Sequence, residues 1–334
     1  MDEREVSGTT SAGSRVVAAG LVARAVVGTA LVAAPAWVLA STGDAVAHQH
    51  RSLAVLLVIS ALAGALSLAR VVVLVRRARQ GGTGRTTGRR VLRGTGVAAG
   101  YALLAVMAAA VVWLRPFPAT DDALAALVPD DRVDVVETGG WYAFVPRDVA
   151  APTAGLVYTP GARVDARAPA PVLRPLAEAG RVVVVLKPPL GIALTSPGQS
   201  GAAIAAYDDV DRWAVGGHSL GGVAAAQYAA SHDEDVTGLL LHASYPMADM
   251  SDADLHVTSV WASHDGLTTA ADVEASRALL PAGTTFVEVV GGVHAYFADY
   301  GPQPGDGQPT VSRATAQAEI TQADLALMAV VAQR

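Results

Sequence analysis

The stretch Gly217-His218-Ser219-Leu220-Gly221-Gly222, which we call the elbow, decides the fold of the last two thirds of this chain. It follows a short apolar run that begins at Trp213, and it opens an alanine-rich pattern over residues 223–230 that is typical of a helix. A serine with glycine two residues away on each side, between a strand and a helix, predicts a turn too tight for flanking side chains. Such a turn holds the Ser219 hydroxyl at its tip. The alternative is that Ser219 simply caps the helix, because this pattern arises easily by chance in a chain with 33 glycines.

The distribution of charged residues divides the chain into a basic first region and an acidic second region. Of the 334 residues, 52% are hydrophobic and 16% are charged, which is more apolar than is usual for a soluble protein. Residues 1–115 carry 13 arginines and four acidic residues, whereas residues 116–334 carry 11 basic and 26 acidic residues. This contrast predicts a membrane anchor over 1–115 and a soluble domain over 131–334, joined by a linker over 116–130. Nucleic-acid binding is not expected, because the basic residues flank apolar segments instead of clustering on a folded domain.

Three long apolar runs predict three transmembrane helices, at about residues 16–40, 53–75 and 96–114. About twenty apolar residues span a hydrocarbon core of roughly 30 Å. Arg24 interrupts the first run, so that run is the weakest of the three. A buried core helix is the alternative for any single run, and a cleaved signal peptide that ends near residues 38–40 is a further alternative for the first.

The arginines between the apolar runs predict the orientation of the anchor. Seven arginines lie between the second and third runs: Arg76, Arg77, Arg79, Arg85, Arg89, Arg90 and Arg93. Only Arg51 lies between the first and second runs. Because arginine-rich loops stay in the cytoplasm, we expect a cytoplasmic N-terminus and place everything after Trp113 outside the cytoplasm, at the plasma membrane. The alternative interpretation of the arginine-rich segment is a patch that binds phosphate or lipid.

From about residue 131 the pattern changes to short strands that alternate with helices. Residues 133–137 and 141–145 predict a hairpin, and the apolar run 181–187 is typical of a strand buried on both faces. Further strands are predicted at 156–159, 213–216, 236–241, 257–262 and 285–290, and helices at 171–179, 199–211, 268–280 and 312–332. The alternation predicts an α/β fold with a mostly parallel sheet, in which ligands bind at the carboxyl ends of the strands.

Two residues downstream of the elbow complete a candidate catalytic set. Asp265 and His294 each follow a predicted strand, as Ser219 does, so the fold is expected to bring all three to one edge of the sheet. In this set Ser219 attacks an acyl carbon and His294 takes and then returns the proton. Asp265 fixes the tautomer of the imidazole and stabilises the imidazolium.

The backbone beside the elbow is expected to supply an oxyanion hole. The amide of Leu220 would form half of it, because this residue directly follows the serine. The second amide is expected from Gly161 or Ala162, in the loop that follows the third predicted strand.

The partner residues also have other interpretations. Asp265 begins an Asp-Gly turn, and Asp249 or Asp252 follows the preceding strand and could supply the acid instead. His294 could be an ordinary loop histidine, and Asp299 is expected to be structural and to hold the histidine loop. The remaining histidines lack ligand spacing and the chain has no cysteine, so no metal site is expected.

Residues 131–334 resemble the α/β-hydrolase family, in particular its small dienelactone-hydrolase-like branch. The resemblance rests on the elbow, on Asp265-Gly266, and on the stretch 291–301 that contains the histidine. Val293 stands where the family often has asparagine, and Pro160-Gly161 stands where the family usually has His-Gly. The resemblance implies a serine hydrolase without a cofactor, and it does not extend to the anchor.

The spacing of the later strands bears on the substrate. Only about a dozen residues separate the strand that ends at Leu241 from the one that begins near Val257, which leaves no room for the cap domain commonly inserted there. We therefore expect an open, shallow site for a small or lipid-like acyl substrate, such as an ester, thioester or amide. Candidate lining residues are Tyr245, Met247, Tyr296 and Phe297, and packing in the core is the alternative role for them. An acyltransferase and a non-catalytic, hydrolase-like binding module are the alternative functions.

Overall fold

The computed structural model describes residues 4–80, 88–147, 149, 152–232 and 236–333. The chain divides into two compact units. The first contains Met1–Gly43 and Ala54–Arg115, and the second contains Asp44–Leu53 and Pro116–Arg334. The segment 81–87, which includes Arg85 of the arginine-rich stretch, lies outside the described residues.

Three long helices cover the predicted anchor. They are α1 (Arg4–His48), α2 (Ser52–Arg79) and α3 (Gly88–Trp113). Within them, Ala19–His48, Ser52–Arg77 and Thr95–Trp113 are long and apolar enough to cross a membrane. The prediction of three helices of this kind is therefore confirmed. The first helix continues beyond residue 40, and its backbone leaves helical geometry at Thr42.

Small residues allow α1 and α2 to approach closely. A Cβ atom at Gly64 would lie 2.7 Å from the carbonyl oxygen of Gly28, so a larger residue would force the backbones apart. The hydroxyl of Ser60 donates a hydrogen bond to the carbonyl of Leu31 across the same contact, at 3.0 Å. Small residues and hydrogen bonds of this kind are typical of helix packing in lipid, where burial of apolar surface provides no driving force.

The second unit is built on an eight-stranded sheet with the order β1-β2-β4-β3-β5-β6-β7-β8. The strands are β1 (Val133–Glu137), β2 (Trp141–Pro146), β3 (Gly155–Thr159), β4 (Val182–Leu186), β5 (Trp213–His218), β6 (Gly238–His242), β7 (His256–Ala262) and β8 (Thr285–Val289). The first two strands form an antiparallel hairpin that joins the sheet through β4, and all other neighbours pair in parallel. The predicted α/β fold with a mostly parallel sheet is confirmed.

Helices cover both faces of the sheet. They are α4 (Asp121–Ala125), α5 (Ala170–Glu178), α6 (Gln199–Ile204), α7 (Leu220–Ala229), α8 (Ala270–Ser276) and α9 (Arg313–Val331). Alternate residues of β4 point to opposite faces: Val183 and Val185 pack with α5 and α9, and Val184 packs with α6 and α7. The strand is therefore apolar throughout, as a centrally buried parallel strand requires.

Two predicted helices are shorter in the structure. The helix expected over 199–211 ends at Ile204, because the three aspartates at 208, 209 and 211 would repel the negative end of the helix dipole. The helix expected over 268–280 begins at Ala270, because Thr269 caps it in a reciprocal capping box with Asp272. It ends at Ser276 and continues as a 3-10 turn.

The residues expected to form a linker, 116–130, are packed on the sheet domain. Phe117 forms an isolated parallel bridge with Val164, and its amide donates to the carbonyl of Arg163 at 2.8 Å. Thr120 then caps the short helix α4. The contacts of Phe117 and the cap at Thr120 attach this segment to the domain. It therefore continues the domain and is not a separate linker.

Candidate active site

Ser219 occupies a strained turn between β5 and α7. Its φ of +53° lies in a region that non-glycine residues rarely adopt. A Cβ at Gly221 would lie 2.0 Å from the carbonyl oxygen of Thr159, and one at Gly217 would lie 2.5 Å from the backbone of Gly221. Glycine is therefore required on both sides of the serine. The Ser219 side chain makes no capping hydrogen bond, so the simple capping role considered from the sequence is not realised.

The parallel register brings the three candidate residues to one edge of the sheet. Ser219 follows β5, Asp265 follows β7 and His294 follows β8, each at the carboxyl end of its strand. Neighbouring strands end at the same level, since His218 pairs with His242 and His242 pairs with Val260. This edge is where parallel sheets bind their ligands.

Asp265 and His294 form a buried pair. The Nδ1 atom of His294 lies 2.8 Å from Oδ2 of Asp265, and the two residues are 1% and 7% exposed respectively. The other carboxylate oxygen, Oδ1, accepts the amides of Leu267 and Thr268, both at 2.7 Å. The Thr268 hydroxyl in turn donates to the carbonyl of Ala243 at the end of β6. The carboxylate is thus fixed on both oxygens, and its orientation toward the imidazole is set by the backbone.

The other candidate acids do not take this position. Asp249 is exposed and its Oδ1 accepts the amide of Ser251, and Asp252 is also exposed. Asp299 forms an ion pair with Arg313 at 3.1 Å. Arg313 also donates to the carbonyls of Ala298 and Tyr300, so this ion pair is a structural contact at the end of the histidine loop.

Asp306 holds the backbone of the histidine loop. Its Oδ1 accepts the amide of His294 at 3.0 Å, and its Oδ2 accepts the amide of Ala295 at 2.9 Å. Sequence reasoning missed this residue, although its setting between Gly305 and Gly307 is typical of an aspartate that closes a turn.

Ser219 and His294 are not joined by a hydrogen bond. The Nε2 atom of His294 is buried and has no hydrogen-bond partner among the described residues. The ring of His218, the residue before Ser219, lies 4.5 Å from the His294 ring, centroid to centroid. Catalytic hydrogen bonds are often open in unliganded sites and close when substrate binds.

His218 is a neutral histidine beneath the site. Burial lowers its pKa well below the usual value, and the neighbouring His294 and His242 lower the pKa further. Both of its ring nitrogens are buried without a hydrogen-bond partner among the described residues. A Cβ at Gly161 would lie 2.7 Å from Nδ1 of His218, so the loop after β3 packs directly against the imidazole.

Of the backbone amides expected to form an oxyanion hole, one directly follows the serine and the others lie in the loop after β3. Leu220 is the first residue of α7, so its amide is one of those left without a carbonyl partner inside the helix. Thr159 of β3 pairs with Gly217 of β5, and a Cβ at Gly161 would lie 2.7 Å from Nδ1 of His218, so Gly161 lies beside the elbow. Ala162 follows in the segment 160–167, which we call the β3 loop.

A second polar network lies under the elbow and was not anticipated. The hydroxyl of Tyr158 lies 3.0 Å from Nδ1 of His242, whose Nε2 lies 2.8 Å from Oδ1 of Asp324 on α9. All three side chains are fully buried. Burial raises the pKa of Asp324, and the nearby His242 opposes that rise. The His242 carbonyl accepts the amide of Ser219 at 2.9 Å, so this network fixes the strand end next to Ser219.

Some of the candidate lining residues lie in the core, and others lie at the surface. Phe297 is fully buried and lies 6.0 Å from the His218 ring, and the Tyr296 ring packs against Arg313. Tyr245 is half-buried. Met247 is 77% exposed and lines an apolar cavity of about 270 Å³ beside α7. Among the residues the structure describes, no group of three or more His, Asp or Glu side chains is placed to hold a metal ion.

The strand order, the crossover helices and the turn at Ser219 define the second unit as an α/β-hydrolase domain. A family model described as the alpha/beta hydrolase family matches residues 155–318, from β3 into α9. The match includes all of the candidate site residues. No curated protein matches the chain.

Proposed function

We propose that this protein is a membrane-anchored serine hydrolase of the dienelactone-hydrolase-like branch, and that it cleaves an ester or related acyl substrate. The observation that carries the proposal is the buried pair of Asp265 and His294 beside a serine held at a strained turn. Structural ion pairs also occur in cores, but His294 keeps an unpartnered Nε2 beside the elbow. A buried imidazole with one nitrogen fixed by a carboxylate and the other free is suited to act as a general base.

In the proposed mechanism, Ser219 Oγ attacks the acyl carbon while His294 Nε2 takes its proton. Asp265 Oδ2 accepts the hydrogen bond from Nδ1 and stabilises the imidazolium that forms. The negative charge on the carbonyl oxygen is stabilised by the amide of Leu220 and an amide of the β3 loop. The imidazolium then protonates the leaving group, which departs and leaves an acyl-enzyme. Water, activated by His294, attacks the acyl carbon, and Ser219 is released with its proton restored.

The proposed substrate is a small or lipid-like acyl compound that enters from an open surface. Between β6 and β7 only residues 243–255 are present, which supports an uncapped site. The apolar cavity lined by Leu194, Val223 and Met247 begins one turn along α7 from the serine and offers a place for an acyl chain. Cavities that bind small molecules are mostly apolar with a few polar groups at one end.

The proposed location of the domain is the outer surface of the plasma membrane. The arginines between α2 and α3 favour a cytoplasmic position for that end of the anchor. Asp44–Leu53 belongs to the same compact unit as the domain, which agrees with three membrane spans in either orientation. The arginines alone therefore support the choice of the outer side.

Labelling with a fluorophosphonate probe tests the proposed function. The full-length protein in membranes should react, and Ser219→Ala should abolish the reaction. Ser231→Ala is a matched control, because Ser231 is an exposed serine at the end of α7 and bonds only to the preceding turn of the chain. A folded wild type that does not label would favour the binding-module alternative. Product analysis with added alcohols distinguishes hydrolysis from acyl transfer by the same residues.

A further inference from the structure

The junction between α1 and α2, residues Asp44–Leu53, makes its contacts with the hydrolase domain near the proposed oxyanion hole. These residues cluster with Pro116–Arg334 and not with the rest of the anchor helices. Their hydrogen bonds go to the β3 loop and to the segment 189–191 that supports it. The β3 loop carries Gly161 and Ala162, so the junction reaches the part of the site that would stabilise the transition state.

Gln49 makes the most direct contact. Its Nε2 donates to the carbonyl of Val164 at 2.9 Å, and the residue is only 6% exposed. The amide of Val164 donates to the carbonyl of Gly161 at 3.1 Å. Gln49 therefore holds one end of a single turn whose other end, Gly161, lies against the His218 ring of the elbow.

Arg167 makes the second contact, at the far end of the β3 loop. Its Nη2 donates to Oδ2 of Asp44 at 2.7 Å, and its Nη1 lies 3.1 Å from Nδ1 of His48. On its other side the guanidinium binds the fully buried carboxylate of Asp165. A guanidinium that is 7% exposed needs such partners, because an unpaired buried charge is costly. The junction supplies one of its two carboxylates.

Ser52 makes the third contact, one step further from the loop. Its hydroxyl oxygen accepts the amide of Leu190 at 2.7 Å, and the carbonyl of Gly191 accepts the amide of Arg163 at 2.8 Å. Leu190 and Arg163 both have positive φ values, +57° and +62°. Non-glycine residues keep such backbone angles only when surrounding contacts hold them there.

We propose that the α1–α2 junction is a positioning element of the active site, and that Gln49 and Asp44 align the oxyanion amide of the β3 loop. This inference rests on the proposed hydrolase function. Donors of this kind act on the charge that develops in the transition state, so their misalignment lowers kcat and leaves the ground-state binding of substrate nearly unchanged. The anchor thereby contributes to catalysis as well as to location.

Kinetics of the full-length protein with a p-nitrophenyl ester test the proposal. Loss of a whole oxyanion donor costs about 10²–10³ in kcat, so the misaligned loop of Gln49→Met should lower kcat about 10-fold with KM changed less than about two-fold. Arg51→Gln is the matched control, because Arg51 is an exposed residue of the same junction. Asp44→Ala should also lower kcat, and Asp44→Asn should restore most of it, because the amide oxygen still accepts from Arg167.

The possible results distinguish a failure of this inference from a failure of the proposed function. If the wild type is active but Gln49→Met and Asp44→Ala both keep its kcat, the junction is only a tether and the inference is wrong. A rise in KM at constant kcat would also overturn it, because that result indicates a role in substrate binding. If Gln49→Met fails to fold, the comparison of Asp44→Ala with Asp44→Asn decides. A wild type with no Ser219-dependent activity would overturn the proposed function itself.

Discussion

Replacing Asp265 by asparagine tests the proposed roles of Asp265 and His294 with almost no change in side-chain size. In the wild type, Oδ2 faces Nδ1 of His294, and Oδ1 accepts the amides of Leu267 and Thr268. Asparagine has one oxygen, which the two amides retain at the Oδ1 position, so its NH₂ group is turned toward the imidazole. His294 must then accept at Nδ1 and carry its proton on Nε2, where it can no longer take the proton of the serine.

We expect kcat/KM for an ester to fall about 10⁴-fold at neutral pH, the loss known for a triad whose tautomer is reversed. That factor corresponds to about 5.4 kcal/mol of transition-state stabilisation. The assay is the initial rate of the full-length protein in detergent, with Ser219→Ala as the background. The unfolding midpoint should change by no more than a few degrees, because every hydrogen bond at this position keeps a partner. A variant that keeps kcat/KM within about ten-fold of the wild type would refute the reasoning, and Asp265 would then be a structural turn residue.

Four further predictions follow from particular contacts. Gly221→Ala should destabilise the domain by about 3 kcal/mol or more, measured by chemical denaturation, because the new Cβ overlaps the carbonyl at the end of β3; normal stability would contradict the elbow geometry. The raised pKa of Asp324 favours its neutral form in the fold, so the free energy of unfolding should decline as pH rises through that pKa. Asp324→Asn should remove this decline, and an unchanged pH profile would show that Asp324 is not its source. Ala230→Trp should block the cavity beside α7 and lower kcat/KM for octanoyl esters at least about five-fold relative to acetyl esters; an unchanged ratio would place the acyl chain elsewhere. The chain has no cysteine, so single-cysteine variants report topology: Arg51→Cys should react with an impermeant maleimide in intact cells, and Thr86→Cys only after permeabilisation, whereas the reverse pattern would place the domain in the cytoplasm.

The features that the sequence predicted well depend on residues that are close together in the chain. The elbow could be recognised because both flanking positions must be glycine, and the structure gives the reason in contacts of 2.0–2.5 Å. The buried strands could be recognised because β4 is apolar on both faces. Helix ends were less predictable, since the aspartates after Ile204 and the capping box at Thr269 compete with the apolar pattern that marks a helix.

The features that the sequence did not reveal depend on contacts between distant residues. Asp324 lies in an otherwise ordinary helical pattern, and only the fold brings it to His242. Asp306 contacts His294 through a return of the chain that no local pattern indicates. Gln49 and Val164 are separated by 115 residues, and the intervening segment includes two apolar helices and three strands. Side-chain pairing over such distances follows from topology and not from residue spacing.

Trapping the acyl-enzyme is the most direct test of the central claim, that Ser219 is the nucleophile of a hydrolase. The full-length protein is mixed with a p-nitrophenyl ester, quenched in acid during the first turnovers, digested, and analysed by mass spectrometry. The account predicts one acyl adduct, on the peptide that contains Ser219, and no adduct in Ser219→Ala. Ester turnover without an adduct on Ser219, or an undiminished rate in Ser219→Ala, would contradict it.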